Sequence, residues 1–538
     1  MNINLTQKKS FTVNRLKALM LSVLLMGFVF RFAHLDQKVY WHDEAYTSLR
    51  VFGYTSAEVK QDIFQGQVIS IEDLQKYQRP NSRKSLIDTV KTLVIDNAQH
   101  PPFYYILLRL WVQGLGHSVV AIRSLSALMS LLVFPIIYYL CLELFNFPLV
   151  GWLAIAFISI SPFHVLYAQE AREYSLWTVM ILLSSLLLLK ALRIPVPNET
   201  IDWKNWGFYA VTFALSLYTS SLSLLVGIGH GIYVMIREHF RLTKTLIAYW
   251  MASLIALLAF APWLAIIITT WSKTGSNWTA IPIPWMDWIK TWGLHVNRAF
   301  ILTVGDFGFD HISTYLTLPL FLILVGYAIY VLCRQAPIQA WLFVLCLMGV
   351  PSLFLVLPDL ILGGQRSMAT RYLIPFLLGI QISIAYLFAT QLTSRRLFTQ
   401  RLWYLIMAGV ISCGIISCNI SFLSETAWNK VVSYNNHQVA QIINQSKAPL
   451  LISTSFGINF GNIFSLSYLL NPKVRLQLIN DNPQTDVRDV PKIPPNFSDV
   501  FLLNLPDPLR EKIEQQYGWK LSLIFNDSHL WLWKRENL

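Results

Sequence analysis

The chain has 538 residues, 54% of them hydrophobic and 13% charged, against about 25% charged in soluble domains. That excludes an ordinary soluble enzyme and points to a polytopic membrane protein whose 19 Trp and 23 Tyr suit interfacial belts. The net charge of +13 does not point to nucleic acid, because much of the excess sits in short loops between apolar runs, where it orients a membrane protein. What remains is available to anionic lipid or to a phosphate group. Cys141, Cys333, Cys346, Cys413 and Cys418 all lie in or beside apolar stretches, with neither metal-ligand nor disulfide spacing.

The N-terminus is basic, then apolar, without a clear small-residue cleavage site, and reads as an uncleaved signal anchor. Residues 16–32 are long enough to cross a bilayer. Lys8, Lys9, Arg15 and Lys17 put the N-terminus in the cytoplasm, so this first span leads outward. About ten residues beyond it stands Trp41-His42-Asp43-Glu44-Ala45-Tyr46. Acidic residues cost several kcal/mol at membrane depth, so carboxylates beside a lipid boundary usually serve a purpose.

A long polar segment follows, roughly 34–118. Its 55–99 stretch, rich in Gln, Lys and Asp, reads as an insertion in preference to an acceptor-binding lid. Residues 103–115 follow His100-Pro101-Pro102, a helix start, and end at Gly116. As a helix this segment covers only about 20 Å, short of a roughly 30 Å hydrocarbon core, so it is predicted to lie along the outer interface.

Ten further spans are predicted near 119–145, 149–166, 174–193, 205–219, 220–236, 245–270, 313–333, 337–358, 371–391 and 401–420. Alternation then places Lys190, Arg193, Lys204, Arg237, Arg241, Lys244, Arg334, Arg395, Arg396 and Arg401 inside, which agrees with the positive-inside rule. The 205–236 stretch is the weakest division, since one long helix is the alternative. Ser161-Pro162 is expected to break or kink the third span. From about Glu425 the long apolar runs vanish. Strands are predicted at 450–454, 500–503, 521–525 and 530–533, and helices at 437–445 and 507–517. The division is therefore a transmembrane domain, 1–424, and a small α/β domain, 425–538, on the outer side.

Polar clusters map to that outer side: His42-Asp43-Glu44, His100-Pro101-Pro102, and Tyr167-Ala168-Gln169-Glu170-Ala171-Arg172-Glu173-Tyr174. His42, Asp43, Glu44 and His100 have the right types to ligate a divalent cation, the one cofactor candidate. The sequence does not show the convergence a metal site needs, and no metal ligand is assigned. Read alone, His100 could cap a helix, Glu170 and Arg172 could be an interfacial ion pair, and Arg371 could anchor a helix end. His230 and His239 look structural or solvated.

The order of three motifs resembles the GT-C glycosyltransferases. These are His-Asp-Glu-Ala-Tyr after span one, His-Pro-Pro-Phe-Tyr-Tyr before span two, and Ser-Pro-Phe-His with Gln-Glu-Ala-Arg-Glu-Tyr after span three. Within that superfamily it is similar to the branch of protein O-mannosyltransferases and lipid A aminoarabinose transferases (glycosyltransferase family 39-like), over roughly 15–270. The stretch Ala121-Ile122-Arg123-Ser124-Leu125-Ser126-Ala127-Leu128 adds to the likeness. The resemblance implies a polytopic helical fold with juxtamembrane helices in the first outer loop. It also implies a polyprenyl-phosphate-linked sugar donor and inverting transfer at the non-cytoplasmic face of the plasma (inner) membrane. Asp43 is then the general base on an acceptor hydroxyl, with Glu44 orienting the acceptor or tuning Asp43.

His42, Tyr46, His100, Pro101, Glu170 and Tyr174 are assigned to substrate binding. Arg172, Arg366 and Arg371, with Tyr372, are candidates for the donor phosphate, since a departing phosphate needs a fixed cation and Arg can bind it bidentately. The chain departs from some relatives, which carry a basic residue right after the first Pro of the His-Pro-Pro region; here Pro102 and Phe103 follow. The sugar and the acceptor, whether protein, lipid or glycan, are not specified. Rival readings are a flippase of lipid-linked sugars and an oligosaccharide polymerase or ligase. Against the flippase stand the lack of an inverted repeat and polar residues gathered on one face.

Overall fold

The computed structural model describes residues 3–193, 201–274, 277–302, 309, 311–480 and 490–536. They divide into two compact units.

The first unit comprises Met1–Ala33, Ala98–Tyr104 and Arg123–Leu423 and is a helical membrane domain. Among the described residues, seven helices are long and apolar enough to cross a membrane, or eight if one bent pair is a single span. Eleven spans were expected, and that number is not reached. Ala18–Phe32 and Ser223–Arg237 are shorter apolar helices, and Trp203–Thr219 has 17 residues. Thr370–Leu392 and Tyr174–Ala191 are mostly buried, so they form the centre of this unit. Lys244–Trp271 and Ile312–Gln335 are mostly uncovered, and they expose Leu254, Ile255, Leu258, Leu320 and Ile323. An apolar face left open to this extent suits lipid, not water.

The division within 205–236 holds as two helices. Trp203–Thr219 and Ser223–Arg237 are separated at Ser220, with Ser223 Oγ bonded to the Ser216 carbonyl at 2.7 Å and receiving the Trp177 indole N–H at 2.9 Å. The predicted 149–166 span is broken at Ser161-Pro162, as expected. Pro148–Ser159 and Pro162–Ala168 meet at 63°, because Pro162 supplies no N–H to continue the ladder. The helix Trp285–Arg298 was not anticipated, as its Asp, Lys and Trp residues hide any long apolar run.

The second unit comprises His34–Asn97, Tyr105–Ile122 and Ser424–Leu538. Its sheet has strands β1 (Gln65–Ile69), β2 (Pro449–Thr454), β3 (Arg475–Ile479), β4 (Asp499–Leu503), β5 (Leu521–Asn526) and β6 (Trp531–Arg535). Their order is β1-β3-β2-β4-β6-β5, with β3, β2 and β4 parallel and the outer pairings antiparallel. Both faces of β2 are covered, Leu450 and Ile452 by one cluster and Leu451 by another, which is why it reads as an unbroken apolar run. The C-terminal strands and helices expected from sequence are all present, and β3 and the helix Asn459–Ser467 join them.

The 55–99 stretch, up to Asn97, is built into this unit. It contributes β1, and Val59, Ile63, Phe64, Ile71, Leu74 and Tyr77 join the core shared with β2 and β3. Thr55, Ser70 and Ser85 each cap a short helix there in a reciprocal capping box. The sheet-bearing unit is thus larger than 425–538. The 13-residue helix Phe103–Leu115 forms as expected. Arg109 on it donates to the carbonyls of Val51 at 3.1 Å and Lys84 at 2.6 Å.

Candidate active site

The break at Ser159 leaves carbonyls without helical partners. Arg31 meets them, its guanidinium donating to the Ser159 carbonyl at 2.5 Å and the Ile158 carbonyl at 2.9 Å. A Cβ at Gly27 would run into the Ser159 carbonyl oxygen, so the first helix approaches this closely only with glycine there. At the far end of the pair, the Gln169 side chain donates to the carbonyls of Phe30 at 2.7 Å and Ala33 at 3.0 Å. The first helix and the broken pair thereby cap each other and fix the loop 169–173.

That loop carries Glu170, Arg172 and Glu173, all buried, and Tyr174 follows them, buried as well. Glu173 accepts from His100 Nδ1 at 2.9 Å and lies 3.4 Å from Arg172 Nε. Arg172 Nη2 stands 3.3 Å from His100 Nε2. A guanidinium only donates, so Nε2 accepts and the neutral ring passes its Nδ1–H to Glu173. Burial alone would raise Glu173, but the Arg172 charge and the His100 ring pull its carboxyl well below the usual carboxylate range. Pro101, next to His100, is buried.

Two further arginines reach the same side chains. Arg371, Arg298 and Glu170 all lie within electrostatic range of the Tyr167 ring. Tyr167 packs edge-on against Tyr174 at 5.1 Å, and Arg172 lies 5.7 Å from the centre of the Tyr174 ring. The Arg371 guanidinium stands 5.4 Å from the Tyr372 ring and 6.0 Å from the Trp278 ring.

The segment bearing Arg371 is clamped from both sides. Buried Asp359 accepts from the Ser367 N–H and hydroxyl and from the Arg366 N–H and guanidinium, at 2.7 to 3.1 Å. On the other side His295 bonds Thr370 Oγ1 at 2.9 Å and the Ser367 carbonyl at 3.1 Å, and Arg298 donates to Thr370 Oγ1 at 2.7 Å. Burial and Arg298 push His295 down to about 3, so it is neutral, and burial lowers Arg298 only to about 10, so it stays cationic. Arg366, expected as a phosphate contact, is matched to Asp359 at 3.1 Å. Arg298 was missed because no motif marks it; its proximity to Tyr167 depends on the fold.

In the second unit the helix His42–Val51 holds the acidic pair in its first turn, where carboxylates favour the helix dipole. The two acids differ. Glu44 is fully buried, 3.5 Å from the buried Lys430 ammonium, and accepts from the Trp41 N–H. Asp43 keeps 22% of its side chain exposed and lies 3.2 Å from His42 Nδ1. The His42 N–H donates to Ser433 Oγ at 3.0 Å. Tyr46 packs on Phe460 at 5.5 Å, beneath the Arg50 guanidinium, and burial raises its hydroxyl well above the usual tyrosine value. Among the described residues no group of three or more His, Cys, Asp or Glu side chains is arranged to hold a metal ion.

The segment 99–266 matches the family profile of dolichyl-phosphate-mannose-protein mannosyltransferases. That match supports the GT-C superfamily assignment drawn from the motifs. It contains His100 and the whole 169–173 loop. No curated protein matches the chain. Among solved structures, ArnT from Cupriavidus metallidurans bound to undecaprenyl phosphate is 12% identical, with 96% of this chain and 97% of that one covered, at a TM-score of 0.48. The same protein in the apo state gives 13%, 97%, 98% and 0.49. The oligosaccharyltransferase AglB from Archaeoglobus fulgidus, in complex with an inhibitory peptide and a dolichol-phosphate, gives 11%, 85%, 65% and 0.45.

Proposed function

We propose that the protein is a membrane glycosyltransferase that moves a sugar from a polyprenyl-phosphate-linked donor to an acceptor hydroxyl. The reaction is a single inverting displacement on the extracytoplasmic face of the plasma (inner) membrane. The acceptor oxygen forms a bond to the anomeric carbon as the bond from that carbon to the phosphate oxygen breaks. The hydroxyl proton passes to Asp43, and the electron pair leaves with the phosphate. A carboxylate is suited to the proton, and a polyprenyl phosphate leaves without a general acid.

The observation that carries this reading is the buried cluster of the 169–173 loop with His100, inside the segment that matches the mannosyltransferase profile. Arg298 and Arg371 are the cations assigned to the departing phosphate. Arg298 donates to Thr370 Oγ1 at 2.7 Å and Arg371 lies 5.4 Å from the Tyr372 ring, on the segment that follows the Arg366–Asp359 pair. Fixed cations where charge develops are worth most in a water-poor site. Asp43 is preferred to Glu44 as the base because Glu44 is consumed by Lys430 and the helix start.

The test is to incubate purified protein with a polyprenyl-phosphate sugar and follow free polyprenyl phosphate. A transferase releases it in step with glycosylated acceptor. A flippase releases none, and that outcome would remove the proposal. Membrane-impermeant labelling of a Cys placed at position 43 from the cell interior alone would refute the orientation.

A further inference from the structure

The sheet of the second unit carries a feature that the reaction does not use. Trp531 and Trp533 are two residues apart on β6 and so share one face. On β5, Asn526 lies directly opposite Trp531 and Leu523 directly opposite Trp533, which puts all four side chains on that face. The intervening Leu532 turns the other way into the core. The helix Asp507–Tyr517 packs Leu509 and Ile513 in the cluster that also receives Trp533, but its first turn leaves a gap over the hairpin. The result is a cleft of about 320 Å³ lined by Leu505, Asp507, Leu523, Asn526, Trp531 and Trp533. That volume lies at the small end of the roughly 300–1,000 Å³ of small-molecule sites.

Both indoles are held in place without a ligand. The Arg510 guanidinium lies 4.4 Å from the centre of the Trp533 ring. Trp531 Nε1 donates to the Leu505 carbonyl at 3.5 Å, and its backbone is bonded to Asn504 on both sides, at 2.7 and 3.0 Å. Preset aromatic surfaces lower the ordering cost of binding. At the mouth stand Asp507, 77% exposed although 3.2 Å from Arg510, and the amide of the exposed Asn526.

We propose that this cleft is a carbohydrate-binding site for a saccharide ring without negative charge. A sugar ring presents an apolar C–H face, which suits the indoles, and a rim of hydroxyls, which suits a carboxylate and an amide that accept and donate. Asp507, Glu511 and Glu514 all stand within 3.7 Å of the single Arg510 guanidinium, and this net negative charge disfavours uronic acids and phosphates. This goes beyond the reading above, which names no acceptor, and it is tested without any transfer step.

Full-length protein in lipid nanodiscs is applied to an array of defined glycans, neutral, amino and uronic-acid-containing, and the strongest ligand is then titrated. Neutral or amino glycans are retained and uronic-acid glycans are not. Trp531→Ala lowers affinity about tenfold or more. Asp507→Asn, at an exposed position that cannot unfold the domain, lowers it severalfold. Trp519→Phe, outside the cleft, leaves binding unchanged. Retention of no glycan, or undiminished retention by both Trp531→Ala and Asp507→Asn, overturns the proposal.

Discussion

Two buried carboxylates, one in each unit, look alike locally but stand in different company. Glu44 lies against Lys430 with both side chains almost fully enclosed. Glu173 lies against buried Arg172 and half-buried His100. The first pair joins the start of the His42–Val51 helix to a residue 386 positions away and leaves its neighbour Asp43 partly exposed. The second belongs to a set of ionisable side chains gathered on one loop, with Arg298 and Arg371 close to the tyrosines beside it. Burial and charge pairing alone therefore do not mark chemistry. What distinguishes the second region is the number of charges brought together beyond what one ion pair needs.

The comparison is sharpened first at the arginines. Arg371→Ala is expected to lower transfer by about 10²–10³, the usual cost of removing one donor that stabilises developing charge. Arg366→Ala, whose partner is Asp359, is expected to change it only severalfold. Equal losses in a polyprenyl phosphate release assay would erase the distinction.

Next in size is the Glu44 pair. Lys430→Met strands a buried carboxylate and is expected to destabilise the sheet-bearing unit by about 3–5 kcal/mol, the range for removing one partner of a buried pair. Thermal unfolding followed through the β-sheet signal checks this. A variant as stable as the parent would contradict the structural role of Glu44.

The smaller effect is a pH dependence. The Glu173 carboxyl is depressed from 4.5 in the unfolded chain, so its contribution to stability is complete above pH 4.5 and is lost as pH falls towards the folded value. Glu173→Gln is expected to show a stability deficit that is largest at neutral pH and closes below pH 4.5. A deficit constant between pH 7 and pH 3 would show that the carboxylate charge is not what Arg172 and His100 hold.

Much of this was readable in the chain itself. The long apolar runs marked most of the helices, Ser161-Pro162 marked the bend, and His100-Pro101-Pro102 marked the start of the short helix Phe103–Leu115. The cluster on the 169–173 loop was also visible, because adjacent residues carry it and proline and glutamine fix its ends. What stayed hidden depends on distant partners. The burial of Glu44 needs Lys430, the role of Arg366 needs Asp359 seven residues earlier in a different backbone segment, and the proximity of Arg298 to Tyr167 needs the unanticipated helix Trp285–Arg298. Strand β1, five residues of Gln65-Gly66-Gln67-Val68-Ile69, is too short and polar to announce itself and forms because β3 is there to pair with it.

The most direct measurement is the rate of polyprenyl phosphate release by Asp43→Asn beside the parent, at matched thermal stability. A loss of about 10²–10⁴ is expected, the contribution of a positioned general base, with folding unchanged because Asp43, unlike Glu44, is partly exposed. A stable Asp43→Asn protein that turns over at the parental rate would contradict the role of Asp43 as base.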